Sequence, residues 1–366
     1  MKQLKIGVGL LVLGWLVPVS LFAQFTETKE ISKRFRVSPE TRIEISNKYG
    51  KIELKTWEKD SVVVEIRVRV EEKKQSKLEK SMDKIDFEFT NSQHFLIIRT
   101  EVGENSSTME KEFLRFKETL LQAGGGNMEI DYLVKLPKTN TLKVENKFGD
   151  IFIGDYQGEV EIDLSNGNLK SHDFSGRTNI TLNFADATIN EIKNARFNCN
   201  YSDLYIKKAK SLRITGKSSS FEILEINELY ADSRRDKYRI RLADMVEARG
   251  SFSNFRLNEL NDRLTLRAEY GDLDIEKTAS DFTNIFIESK STDINLWFHP
   301  ETDFGFEITH TKSEVNTDRE IEIEEKETLD EKEGKVKLSG FFNKKDDSMK
   351  KLFINANSGE INIFSK

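Results

Sequence analysis

Five aspartates in this chain share one position of a repeating pattern: Asp150, Asp186, Asp203, Asp272 and Asp293, with Asn168 and Asn254 in the same column. A file of carboxylates can bind calcium, a hard cation that takes oxygen ligands, or supply the paired acid and base of glycoside hydrolysis. Ser220 and Lys237 interrupt the file between Asp203 and Asp272, and only Asp186 and Asp203 adjoin in its middle. The Gly-Gly-x-Gly-x-Asp calcium repeat is absent. Aspartate at a chain reversal also bonds local backbone N–H groups, so the column reads as turn chemistry.

Other chemistry is sparse. The histidines His94, His172, His299 and His310 have no His-x-x-x-His spacing and no Cys/His cluster. No Gly-x-Ser-x-Gly elbow, phosphate loop or dinucleotide fingerprint is present. Gly124 to Gly126 lacks the following Lys-Ser/Thr and reads as a helix stop. The lone cysteine, Cys199, permits no intramolecular disulfide. It falls in an inward column, which marks a buried structural thiol. The sequence therefore assigns no catalytic, cofactor-binding or metal-ligating residue, and no cofactor is expected.

The elements that carry the aspartates form a repeat. Leu142-Lys-Val-Glu-Asn-Lys-Phe-Gly-Asp-Ile-Phe-Ile153 recurs, degraded, with its glycine position at Gly149, Gly167, Ala185, Ser202, Ser219, Asp236, Ser253, Gly271 and Thr292. Those numbers differ by 18, 18, 17, 17, 17, 17, 18 and 21. Outlying copies centre on Gly50 and Gly359. Leu142 and Val144 point one way and Lys143 and Glu145 the other, the period-two mark of a strand with one buried face. A further apolar or small residue follows at Ile192, Ala209, Ile226, Ala243 and Leu260.

A fixed short period marks a stacked architecture whose units bury their apolar faces against neighbours. A meander of hairpins also spaces strands regularly, but its spacing drifts and its turn chemistry varies. The expected class is mainly β: a single-chain β-solenoid, or β-helix, with 17–18-residue rungs. Rungs ~4.8 Å apart stack equivalent side chains. The expected aromatic column is Tyr49, Phe148, Phe184, Tyr201, Phe252 and Tyr270, interrupted by Asn166, Ser218 and Arg235. A small-residue column runs through Asn146, Cys199, Gly216, Ser233, Gly250 and Ala268. Gly, Asp and Asn at the corner suit positive φ.

Lys2 and Lys5, the apolar stretch Ile6 to Val17 and Leu21-Phe22-Ala23 form a signal peptide, with cleavage expected between Ala23 and Gln24. An uncleaved anchor would use Ile6 to Phe22, which holds Pro18 and is at the bottom of the spanning range. Residues 24–54 supply a leading strand and first rung. Residues 55–141 form an α+β insertion or cap with two short helices. One is opened by a capping box of Ser76 and Glu79, with Leu78, Met82 and Ile85 as its stripe; the other is opened by Ser107 and Glu110. Residues 142–296 are the regular solenoid. Residues 297–366 are irregular, with a solvated hairpin or loop over 318–335 and a capping rung over 352–364. Charged residues make up 33% of the 366, both signs are interleaved, and the net charge of −6 offers no basic stripe for nucleic acid.

Rungs such as Leu142 to Ile153 behind a signal peptide resemble the bacterial putative adhesin family, an exported β-solenoid domain of unknown function akin to auto-transporter adhesin heads. The resemblance covers residues 40–364 and implies a fold, not catalytic residues. The function it implies is that of an exported, non-enzymatic adhesin or envelope-associated binding protein. Its partner would be an envelope or surface protein or glycan, with no nucleic acid and no membrane span in the mature form. The expected location is the periplasm, cell surface or exterior of a bacterium. Two other readings stay open: a periplasmic scaffold or sensory partner of an envelope-stress system, and a carbohydrate-active β-helix enzyme using the Asp column.

Overall fold

The computed structural model describes residues 24–103, 127–318, 321–344 and 350–365. The expected leader through Ala23 and the helix expected from Ser107 lie outside them. The described residues hold one helix and otherwise β-strands, so the class is mainly β.

The regular part begins with β8 (Leu142–Lys147), β9 (Ile151–Ile153) and β10 (Val160–Ser165). It continues through β11 (Asn168–Asn183), β12 (Asp186–Asn200), β13 (Asp203–Lys217), β14 (Ser220–Arg234), β15 (Lys237–Ser251), β16 (Asn254–Ile275) and β17 (Asn284–Phe298). From β11 each strand pairs in parallel with the next, as in Ala187↔Leu204 and Leu204↔Phe221. Alternation fills the interior: Leu204, Ile206, Ala209, Leu212 and Ile214 are all buried. Period-two alternation in a stacked coil with a filled interior leaves the outward positions to charged and polar residues, which explains the high charge content.

Near the N-terminus, β2 (Arg42–Lys48) and β3 (Ile52–Trp57) stack in parallel on β8 and β9. Their other edges carry β6 (Phe95–Val102) and β7 (Asn127–Pro137), also in parallel. Part of the inserted stretch thus continues the stack, its repeat signature hidden because residues 103–126 separate the two arms. Antiparallel strands then cover this end: β5 (Ile85–Asn91) on β6, and β4 (Ser61–Glu72) on β7 with β1 (Phe25–Arg36) outside it. Such cover limits edge-to-edge association.

The helix α1 spans Gln75–Met82, with Lys74 at its N-cap and no side-chain capping bond. The expected capping box therefore does not form. Ser76 is already inside the helix, where its hydroxyl cannot serve the first N–H groups. Leu78 is buried, Met82 is partly buried against the core, and Ile85 belongs to β5.

At the C-terminus the chain order departs from the stacking order. β18 (Phe304–Thr317) does not pair with β17; β21 (Lys351–Ser365) lies between them, parallel to both. The expected capping rung is thus an interior one. The outer edge of β18 is covered over Phe304–Thr311 by β20 (Lys335–Phe342), which pairs in turn with the exposed β19 (Ile321–Asp330) as an antiparallel hairpin.

Candidate functional site

Each rung reverses at a corner immediately before the aligned glycine position. The residue there has φ between 49° and 64° at Tyr49, Phe148, Asn166, Phe184, Tyr201, Ser218, Arg235, Phe252, Tyr270 and Ser291. In these copies positive φ thus falls on the aromatic column, not on the glycine and aspartate that follow; only at the outlying C-terminal copy do both Ser358 and the aligned Gly359 adopt it among the described residues. The glycines serve close approach instead: a Cβ on Gly167 would sit 2.1 Å from the Gly149 carbonyl oxygen of the rung beneath. The corner N–H groups from Tyr49 to Phe252 donate across the stack, as in Phe184 N to Asn200 O (2.9 Å) and Ser218 N to Arg234 O (2.9 Å).

The corner side chains make a ridge. Phe184 and Tyr201 stack with ring centroids 5.0 Å apart and planes 1° from parallel; Phe252 and Tyr270 stack at 5.0 Å and 12°. Tyr49 and Phe148 form a third pair at 5.6 Å. Phe184 is 61% exposed, Tyr201 49%, Phe252 56% and Tyr270 42%. A left-handed conformation costs a side-chain-bearing residue about 1–2 kcal/mol, whereas a stacked aromatic pair returns about 0.5–1.5 kcal/mol in all. Glycine or asparagine would satisfy the corner more cheaply, so conformational stability does not account for exposed aromatics there.

The Asp column is engaged with backbone. Asp150 Oδ1 accepts from Asn168 N (2.8 Å) and Asn168 Nδ2 (2.9 Å); Asp186 Oδ1 accepts from Asp203 N (3.2 Å) and Asp293 Oδ1 from Glu360 N (2.9 Å). These three carboxylates of the five cap the N–H of the rung above, which a glycosidase pair or calcium site would not require. Asp272 is held above the usual carboxylate range, by burial first and then by the Asp293 and Asp274 charges. No group of three or more His, Cys, Asp or Glu side chains is placed to hold a metal among the described residues. The histidines stand apart: His172 lies 3.5 Å from Asp155, His299 Nδ1 accepts from Glu301 N, and the partly buried His310 is lowered chiefly by desolvation.

Inside the corner runs a buried ladder that sequence reasoning missed. Ser202, Ser219 and Ser253 each accept a backbone N–H of the rung beneath and donate to the carbonyl two residues back. Asp236, 1% exposed, interrupts this series; its Oδ1 accepts from Ser219 N (2.8 Å), and burial raises its pKa. Burial also pushes the Cys199 thiol up to about 12, with Asp236 adding to the shift, so the thiol is inert as expected for an inward column. A second interior ladder stacks Phe221, Tyr238 and Phe255 at 4.6 and 4.8 Å. The signal for it was the small column: Gly216, Ser233 and Gly250 each precede one of these rings by five residues.

A shallow depression of about 510 Å³ on an outer face is lined by Asp232, Arg249, Arg267, Glu269, Glu288 and Lys290. An ion pair between Arg267 and Glu288 (2.6 Å) lies in it, so its charges are partly neutralised internally. No helix of the described residues is long and apolar enough to cross a membrane.

Comparison with known proteins adds to this geometry. No curated protein matches the chain. Among solved structures, a putative cell adhesion protein from Clostridium sporogenes is 14% identical over 92% of this chain and 100% of its own, with a TM-score of 0.18. A putative adhesin from Parabacteroides distasonis is 12% identical over 73% of this chain and 97% of its own (TM-score 0.39). A putative lipid binding protein from the same organism is 11% identical over 74% and 96% (TM-score 0.36). The Toastrack DUF4097 family model matches residues 40–364, nearly all of the stacked strands, and the chain belongs to that family.

Proposed function

We propose that this chain is an exported, non-enzymatic β-solenoid binding protein whose corner ridge contacts a macromolecule of the envelope or another surface. In this reading residues 1–23 are removed between Ala23 and Gln24. Residues 142–296 form the regular solenoid of 17–18-residue rungs, and the segments on either side close its ends. The observation that carries the proposal is the exposure of the Phe184–Tyr201 and Phe252–Tyr270 pairs at corners whose backbone favours glycine. Strained, costly residues that the fold does not need point to a role outside the fold. A long ridge of repeated contacts also gains avidity from many weak interactions without a deep pocket.

The test is a binding screen of the purified residues 24–366 against envelope fractions and a glycan panel. The companion variant carries Phe184→Ser, Tyr201→Ser, Phe252→Ser and Tyr270→Ser. Retained melting temperature with lost binding is the expected result; unchanged binding would remove the ridge from the function. Reproducible cleavage of a glycan, lost in Asp186→Ala or Asp203→Ala, would replace binding by catalysis. Intact mass of the exported protein checks the leader: a form beginning at Gln24 is expected, and one retaining Lys2 contradicts it.

A further inference from the structure

The two central aromatic pairs of the ridge do not adjoin. Between Tyr201 and Phe252 the corner carries Ser218 and Arg235, so the rings are three rungs apart, about 14 Å at the ordinary spacing. Tyr201 is stacked on Phe184 through one face, and Phe252 on Tyr270, so the uncovered face of each lies on the side of this interval.

The interval is cationic. Lys217 and Arg234 are register neighbours just before the corner; Arg235 is at it; Lys237 follows, and Arg239, in register with Glu222, marks the edge of the stretch. All five are exposed. Among the described residues none of the five has an ion-pair partner, whereas Arg241 and Arg256 beside them pair with Glu225 and Asp274. The acid at the corner itself, Asp236, is turned into the core, and the nearest exposed acid of its rung, Asp232, lies two residues before Arg234 in register with Arg249. Like charges in register repel, and Arg235 also has a backbone conformation unsuited to it. Neither choice helps the fold.

We infer that this interval binds an acidic polysaccharide, its sugar carboxylates on Arg234, Arg235 and the flanking lysines and its apolar ring faces against Tyr201 and Phe252. The inference rests on the binding function proposed above and narrows it to one ligand class. Three features favour a thread-like acidic glycan. A sugar ring has both an apolar face and an exocyclic anion, which matches aromatic platforms flanking cations. A sugar unit is similar in length to the spacing between rungs, about 4.8 Å, so successive units can meet successive corners. The cationic stretch is short and bounded by Asp203, Glu222 and Glu269 in a molecule of net charge −6. A broad anionic membrane or a dense nucleic-acid backbone, which gains affinity from many phosphate contacts, would meet those acids as well. Arginine suits the task because its planar fork takes a carboxylate bidentately.

Binding of residues 24–366 is measured by calorimetry with polygalacturonate oligosaccharides. The comparison ligands are their methyl esters, inorganic polyphosphate, oligo-dT and phosphatidylglycerol vesicles. Polygalacturonate should bind, weaken with added salt, and lose about tenfold or more in affinity with Arg235→Asn or Arg234→Gln. Asparagine tolerates the corner, so Arg235→Asn should melt no lower than the parent, separating lost recognition from lost folding. Tyr201→Ser with Phe252→Ser should weaken polygalacturonate as well. Equal affinity for the methyl esters, or tighter binding of polyphosphate, oligo-dT or vesicles, would overturn the assignment. Binding to neutral glycans or envelope fractions that Arg235→Asn leaves untouched would overturn it too, while leaving the broader function standing. No binding of polygalacturonate would overturn this assignment alone; no binding of envelope fractions or of the glycan panel either would remove the binding function with it.

Discussion

Asp236 stands where its neighbours in the stack carry serine, and the exchange has a cost that depends on pH. Burial raises its pKa above the usual 3.8, so the folded state holds the proton more tightly than the unfolded chain. The sign follows: stability is greatest while Asp236 is neutral in both states, and falls as pH rises from about 3.8 through the raised value. Asp236→Ser restores the hydroxyl of the ladder. It should raise the melting temperature at pH 7, with the gain shrinking as pH falls toward 3.8. A lower melting temperature at pH 7 would show that the carboxylate bonds outweigh its burial. Gly250 offers a second residue-scale test. A Cβ there would lie 2.8 Å from Phe255 Cε2, so Gly250→Ala overpacks the corner and should cost about 1–3 kcal/mol in denaturant unfolding. Phe255→Leu should relieve it, making the double variant more stable than the sum of the two single changes.

At the scale of the element, each rung is a strand whose inward residues are shared with the rungs on both sides. Leu204 illustrates this: it is 2% exposed and sits in register with Ala187 and Phe221. Leu204→Asp places an unpaired carboxylate in that contact, a loss of several kcal/mol that neighbouring rungs share. Hydrogen exchange should rise over β12 and β14 as well as β13; a rise confined to β13 would contradict the shared core. The outer corner follows the opposite logic, because its residues contact only their stack neighbours. Substituting the exposed ring of Phe184 should therefore change stability by no more than about 1 kcal/mol.

At the scale of the molecule, the insertion of β21 between β17 and β18 ties a strand that comes after both in the chain into the stack between them. Removing residues 351–366 would unpair one edge of β17 and of β18 together. Exposed parallel edges template association, so the truncated chain should be aggregation-prone and lose protection over Phe304–Thr317. A truncated chain that stays monomeric with β18 protected would show that β20 alone holds that strand. The N-terminal end differs, since its outer strands β1, β4 and β5 are antiparallel additions that interrupt no parallel pair.

The alternation of Leu142, Val144, Ile151 and Ile153 and its recurrence made the β class, the inward residues and the stacking of Phe184 on Tyr201 legible without coordinates, because side-chain direction in a strand has period two and does not depend on partners. The corner conformation was misread by one residue: composition pointed to Gly149 and Asp150, but φ is set by how the chain reverses, and that fell on Phe148. The 17-residue step already set Lys217 beside Arg234, but the burial of Asp236, the inserted position of β21 and the lack of ion-pair partners for those cations among the described residues were decided only by tertiary structure. Each depends on which rung lies against which, and parallel pairing brings together residues that local patterning along the chain does not relate.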